Sequence, residues 1–86
     1  MAMKNVKYEI VKHIGIISKK RSYQKEVNLI SWNGRPPVVD IRNFKIDKDG
    51  GKNPLNGVTV EIEDLHALKD ILSHINSEVL GARSTT

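Results

Sequence analysis

The spacing of apolar residues changes once along this chain, from every second residue to every third or fourth. The shorter period occurs in residues 7–18, 26–32, 38–46 and 58–62. Alternation of this kind predicts β-strands. The longer period places Leu65, Leu68, Leu72, Ile75 and Val79 on one stripe, which Ala67 and Ile71 widen. Such a stripe predicts an amphipathic helix. The sequence therefore predicts an α+β fold in the order strand, strand, strand, strand, helix.

The strongest turn signal lies between the second and third strands. Asn33 and Gly34 both tolerate positive φ and suit a type I′ hairpin turn. Two prolines follow at positions 36 and 37. They lack a backbone N–H, so they fit only the start or the edge of the third strand. We expect loops at 19–25, which has no apolar period, and at 47–57, which is rich in turn residues.

Acidic residues and a glycine mark the two ends of the predicted helix. Glu61, Glu63 and Asp64 place negative charge at its start, where the helix dipole favours it. Gly81 is a plausible stop, and residues 82–86 are predicted to form a loose tail. The 86 residues are expected to form one domain, residues 1–86, with an ordered core at about 7–80.

Cysteine usage and hydropathy limit the compartment. The chain has no cysteine, which removes disulfides and zinc–thiolate sites and favours an intracellular protein. No apolar run has the length of a membrane span, and the N-terminus lacks the apolar core of a signal peptide. We expect a cytoplasmic protein without a membrane partner.

Charge is distributed unevenly along the chain. The formal net charge is +4, but residues 1–57 hold twelve Lys and Arg against five acids, whereas residues 58–86 hold two against five. A basic N-terminal part predicts a polyanionic partner for that part. The charge pattern also fits loop lysines that merely keep the protein in solution.

No spacing of reactive residues supports an enzyme or a metal site. His66 and His74 lie eight positions apart, too far for a metal pair on adjacent helix turns, and His13 is remote in sequence. The Asp47–Asp49 loop departs from a calcium-binding loop because Gly51 occupies the third acidic position, Lys52 the position of the required glycine and Val58 the position of the closing glutamate. We therefore expect a protein that is not an enzyme and needs no cofactor or metal.

The segment SWNGRPPVVDIRNFK, residues 31–45, combines aromatic and cationic side chains. Lys and Arg attract the phosphates of a single nucleic-acid strand, and aromatic rings stack on its bases. Trp32, Arg35, Arg42, Phe44 and Lys45 supply both features. The residues alone leave other roles open. Phe44 shares the parity of neighbouring apolar residues and suits the core, and Arg42 suits an ion pair with Asp40.

Several motifs resemble the positive cofactor four (transcriptional coactivator p15) family, and in particular its bacterial branch. The resemblance covers roughly residues 7–80 and rests on DIRNF at residues 40–44, on SWN before the hairpin, and on NGVTV before the helix. It implies a curved four-stranded antiparallel sheet followed by a helix, paired as a symmetric dimer that binds single-stranded DNA.

The resemblance also implies roles for individual residues. Trp32 matches a base-stacking aromatic, Arg35 a basic residue after the hairpin, and Arg42 the arginine of the Asp-Ile-Arg motif. Two positions depart from the family pattern. Lys45 stands where a second stacking aromatic occurs in the family. Asn56 stands where the family has a lysine, and Lys52 would compensate for that lysine from the loop. The predicted nucleic-acid-binding residues are Trp32, Asn33, Arg35, Arg42, Phe44, Lys45, Lys25 and Lys52.

The leading hypothesis is a sequence-tolerant single-stranded-DNA-binding protein, coactivator-like, that acts in transcription, replication or repair. Its partners would be single-stranded DNA or RNA, transcription machinery and a second copy of itself, and it would lie with the nucleoid. The predicted dimer interface is Leu65, Leu68, Ile71, Leu72, Ile75 and Val79. The alternative is a protein–protein interaction module that docks an acidic partner. Exposure of Trp32 beside Arg42 favours nucleic acid, and burial of Trp32 favours the alternative.

Overall fold

The computed structural model describes residues 7–76 and 79–80. Within these residues the elements are β1 (Tyr8–Lys20), β2 (Tyr23–Trp32), β3 (Val38–Ile46), β4 (Lys52–Val60), a 3₁₀ turn (Ile62–Asp64) and the helix α1 (Leu65–Ser73). The strands form a sheet in chain order, and each neighbouring pair is antiparallel. The predicted succession of four strands and a helix is thereby confirmed.

The predicted loop at residues 19–25 is wrong. β1 continues to Lys20 and β2 starts at Tyr23, so the turn consists of Arg21 and Ser22. Arg21 has a φ of 58°, the left-handed conformation that a tight hairpin turn requires. Side chains from Lys19 to Tyr23 are exposed. Because neither face of this hairpin end meets a core, its strands leave no apolar alternation in the sequence.

The predicted loop at residues 47–57 is also too long, because β4 already begins at Lys52. Pro54 lies opposite Phe44 and is buried. β4 is an edge strand, and a proline is tolerated at an edge because its missing N–H breaks no pairing to a further strand. The glycine, asparagine and proline residues that suggested a loop therefore lie within a strand.

The two faces of the sheet differ in burial. The face that we call the inner face carries Glu26, Asn28 and Ile30 of β2 and Asp40, Arg42 and Phe44 of β3, all of them buried. The opposite face, the outer face, carries the half-buried Val27, Leu29 and Ile41. Tyr8 Oη lies 3.4 Å from the carbonyl oxygen of Lys52. This contact joins the first and last strands, so the sheet curls around its inner face.

The helix α1 extends away from the sheet. It ends at Ser73, before the predicted end of the apolar stripe, and residues 79–80 are helical again. Its principal contacts are with the preceding 3₁₀ turn. Leu65 and Leu68 are half-buried, but Ile71 is 64% exposed and Leu72 is 51% exposed, so the later part of the stripe is uncovered within the described residues. The predicted stop at Gly81 and the predicted tail lie outside those residues.

Candidate nucleic-acid interface

The turn after β2 fixes the position of the single tryptophan. Asn33 and Gly34 have φ values of 51° and 75°, which confirms the predicted left-handed turn. The backbone N–H of Asn33 donates to the carbonyl of Lys7 at 2.7 Å, and its side-chain oxygen accepts from the Lys7 N–H at 3.1 Å. The N–H of Arg35 donates to the Trp32 carbonyl at 2.9 Å. These bonds hold Arg35, whose side chain is exposed, just beyond Trp32.

Trp32 is half-buried on the inner face. Its ring centroid lies 5.5 Å from that of Tyr8, with a tilt of 39°. The guanidinium carbon of Arg42 lies 4.8 Å from the centre of the Trp32 ring, a cation–π arrangement. The indole Nε1 is buried without a hydrogen-bond partner among the described residues. Trp32 therefore has a fixed orientation and is neither fully exposed nor fully buried.

Arg42 is only 7% exposed, so the joint exposure of Trp32 and Arg42 that would favour nucleic acid does not occur, and the full burial of Trp32 that would favour the alternative does not occur either. Its Nε and Nη2 donate to the two carboxylate oxygens of Asp40 at 2.9 and 2.8 Å. Its Nη1 donates to the carbonyl of Leu55 at 2.7 Å. The ion pair with Asp40 is thus confirmed, and it is bidentate, the strong form of such a pair. Arg42 braces Trp32 and joins β3 to β4.

A glycine allows the backbone of β4 to approach Arg42. A Cβ atom added to Gly57 would lie 2.6 Å from the Arg42 Cβ and from the Ile41 carbonyl oxygen. This contact occurs where the pairing of β3 with β4 shifts register between Arg42 and Phe44. A side chain at position 57 would therefore push the two strands apart.

A second polar cluster surrounds Glu26, which is fully buried. Lys52 Nζ donates to its carboxylate at 2.7 Å, Asn28 Nδ2 donates at 3.0 Å, and Gln24 donates as well. Burial is the largest single influence on the Glu26 pKa and raises it. The hydrogen bonds from Lys52, Asn28 and Gln24 and the charge of Lys52 outweigh burial and hold the pKa below its ordinary value. His13 Nδ1 donates to Asn28 Oδ1 at 2.7 Å, so the cluster reaches the surface.

Two of the predicted binding residues belong to this interior. Phe44 is fully buried, which confirms its alternative role as a core residue. Lys52 lies in β4 rather than in a loop, and its ammonium is 4.9 Å from the Phe44 ring centre as well as bonded to Glu26. A lysine in this position has its charge largely matched by a carboxylate. The prediction that it replaces a loop lysine remains without support from its geometry.

The predicted lysines at positions 25 and 45 lie instead on the outer face, where both are exposed. Lys45 is directly opposite Tyr23 in the neighbouring strand, and Tyr23 is 46% exposed. Tyr23 is absent from the predicted binding residues because the sequence predicts a loop, and not a strand, at residues 19–25. The available signal is that Tyr23 continues the every-second-residue spacing of Lys25 and Val27, which places all three on one face of β2. An aromatic ring therefore lies beside Lys45 even though position 45 itself is not aromatic.

A cavity of about 680 Å³ opens at this hairpin end of the sheet. Its lining residues are Ser18, Lys20, Arg21, Tyr23, Gln24, Lys25, Asn43, Leu55 and Asn56. Three of these are cations and none is acidic. A cavity with this lining attracts anions and offers one aromatic surface.

The predicted binding residues thus separate into two groups. The first group lies on the inner face and consists of Trp32, Arg42, Phe44 and Lys52. Of these, Phe44 is a core residue, and Arg42 and Lys52 form ion pairs with buried carboxylates. The second group consists of exposed residues at two places. Asn33 and Arg35 lie at the turn after β2, and Lys25 and Lys45 lie on the outer face. The structure leaves the contribution of each residue to DNA binding as a prediction.

Residues 7–76 and 79–80 contain no group of three or more His, Cys, Asp or Glu side chains that would hold a metal ion. In the predicted loop, both carboxylate oxygens of Asp47 accept from Asn53 Nδ2 at 3.1 Å. None of the helices in the described part is long and apolar enough to cross a membrane.

Comparison with known proteins agrees with this architecture. The family model described as Transcriptional Coactivator p15 (PC4) matches residues 19–71, which include β2, β3, β4 and most of α1. An uncharacterized protein of Treponema pallidum (strain Nichols) is 37% identical over 71 residues, covering 80% of this chain and 79% of that protein. The family match extends over more than half of the chain and includes Trp32, the Asp40–Arg42 pair and Gly57. This protein therefore belongs to the Transcriptional Coactivator p15 (PC4) family.

Proposed function

We propose that this protein binds single-stranded DNA without requiring a fixed sequence, and that it does so as a homodimer. Its role would be coactivator-like, in transcription, replication or repair. The observation that carries this proposal is the exposed aromatic and cationic surface around Tyr23, where Lys25 and Lys45 are exposed and the nearby cavity has no acidic lining.

Family membership supports the nucleic-acid class of the partner. The family is known for single-stranded-DNA binding and coactivator roles, and it is a nucleic-acid-binding family without enzymatic activity. A tolerant binder needs cations for the phosphates and rings for the bases. Tyr23 and Trp32 supply rings at opposite ends of β2. The two rings lie on opposite faces of the sheet, so each would contact a different part of the bound strand.

The uncovered apolar side chains of the C-terminal helical region support a second copy of the chain as its partner. Large apolar side chains that are 40% exposed or more occur on β1 (Val11, Ile14, Ile16, Ile17), on β4 (Val58), on α1 (Ile71, Leu72) and in the residues after it (Ile75, Val79). Monomers rarely expose large apolar patches. A small domain also buries little of its own surface. A two-fold pair would bury these surfaces in both copies at once.

A fluorescence titration tests the proposal, because Trp32 is the only tryptophan. The protein is titrated with oligo-dT, with a duplex of the same length and with the corresponding RNA. We expect clearly tighter binding to the DNA single strand than to the duplex, since stacking rings need unpaired bases. Equal affinity for the duplex would contradict the proposal. Binding to an acidic protein but to no nucleic acid would support the interaction module instead.

A further inference from the structure

A separate cavity of about 380 Å³ opens beside Trp32. Trp32 and Arg35 line it from the turn after β2, together with the two prolines, and Thr59, Glu61 and Glu63 line it from the end of β4 and the 3₁₀ turn. Cavities that hold small ligands typically measure roughly 300–1,000 Å³. This cavity therefore has room for one nucleobase, with an aromatic ring in its wall.

The charged groups of this cavity differ from those at the hairpin end. Glu61 and Glu63 are exposed acidic residues that line it, and Arg35 is the cation among its lining residues. Ionised carboxylates accept hydrogen bonds but donate none. They also repel phosphate. A nucleotide in this place would direct its base toward the carboxylates and its phosphate toward Arg35.

We propose that this cavity holds one base of the bound strand against Trp32, and that Glu61 and Glu63 select a base with an exocyclic amino group. The inference rests on the proposed binding of single-stranded DNA. The amino group of cytosine donates to carboxylates, whereas thymine presents a carbonyl oxygen at the equivalent position. With thymine in the cavity, its carbonyl oxygen would face a carboxylate oxygen, and no hydrogen bond could form between these two acceptors. Binding stays tolerant along the strand and gains a preference at one nucleotide.

The test compares oligo-dC with oligo-dT of the same length by fluorescence anisotropy of a labelled strand at pH 8, where cytosine is unprotonated. One additional hydrogen bond corresponds to roughly a three- to tenfold tighter binding of oligo-dC. In a variant with Glu61→Gln and Glu63→Gln, each carboxamide both donates and accepts, so thymine is accommodated. We expect the ratio of the two affinities to fall to about one.

Asp64→Asn is the matched control. Asp64 neighbours Glu63 but does not line the cavity, and the substitution removes a negative charge in the same segment. We expect it to strengthen binding to both strands equally and to leave their ratio unchanged. The single variants Glu61→Gln and Glu63→Gln then separate the two carboxylates, and circular dichroism checks that each variant is folded.

The outcomes distinguish this inference from the proposed function. If the wild-type protein binds both strands with equal affinity, the inference is overturned and single-strand binding stands. If the preference for oligo-dC persists in both glutamine variants and in their combination, it arises elsewhere and the inference is again overturned. If the protein binds neither strand, the proposed function fails and the inference fails with it.

Discussion

At the scale of single residues, Trp32 is the side chain whose replacement separates a binding role from a structural one. Trp32→Ala removes the ring that we expect to stack on a base, which should weaken single-strand binding by about 1–3 kcal/mol. The salt dependence of binding should change little, because no cation is removed. Anisotropy of a labelled oligonucleotide at several salt concentrations measures both quantities.

Trp32→Phe is the control for this substitution, because it keeps an aromatic ring at the same place. We expect it to retain most of the binding affinity. If Trp32→Ala unfolds the protein instead, the contacts of the ring with Tyr8 and Arg42 are the more important part of its role. The interaction-module hypothesis would then gain support.

Glu26 predicts how stability depends on pH. Its pKa is lowered in the folded protein, so it binds a proton more readily in the unfolded chain. The stabilisation is fully present above the ordinary glutamate pKa of about 4.3 and is lost as the pH falls through the lower, folded value. Glu26→Gln should lower the free energy of unfolding at pH 7 by about 1–3 kcal/mol.

The same substitution should make urea-unfolding stability less dependent on pH below about 4.5. Glu9→Gln is the matched control, because Glu9 is an exposed acid on β1, and we expect little change at either pH. An unchanged stability of Glu26→Gln at pH 7 would show that the bonds to Lys52 and Asn28 contribute nothing net.

At the scale of the elements, the junction of β3 and β4 depends on Gly57. Gly57→Ala would place a Cβ 2.6 Å from a backbone carbonyl oxygen, so the strands must separate. We expect a loss of about 1–3 kcal/mol in the free energy of unfolding, the usual cost of overpacking. Gly15→Ala is the control, because a Cβ there meets nothing within 4 Å. Thermal or urea unfolding of the two variants should differ clearly, and equal stability would contradict the account.

The elements also show what the sequence predicts and what it does not. Strands that cover a core, such as β3, alternate visibly, and the turn at Asn33 is specified by local backbone chemistry. The hairpin around Arg21 has no core beneath it, and residues 52–57 carry turn-forming residues within an edge strand, so neither is visible as a strand. In the candidate site, the sequence identified Trp32 and the Asp40–Arg42 pair. It did not indicate that this pair is buried, because burial depends on the distant Leu55 carbonyl and on Gly57.

At the scale of the whole molecule, we expect an obligate dimer that is held mainly through the C-terminal helices. Leu72→Glu places a charge on the uncovered stripe of the helix, where Leu72 is 51% exposed. The variant should sediment as a monomer or unfold, and its DNA affinity should fall, because two linked surfaces bind one strand more tightly than one.

His66→Glu is the control for the dimer, because it introduces a carboxylate at an exposed helix position away from that stripe. It should leave the sedimentation coefficient unchanged. A wild-type protein that sediments as a monomer at micromolar concentration and still binds single strands tightly would refute the arrangement.

Both rims of the sheet resist the addition of further strands. β1 pairs with β2 through three register shifts, and such bulges distort the ladder that an incoming strand would need. β4 contains Pro54, which has no N–H to donate. Growth of the sheet into a continuous ribbon of many copies is therefore disfavoured, although β1 and β4 expose large apolar side chains. Self-association through the helix, as we expect it, would stop at a closed pair instead of propagating into a fibril.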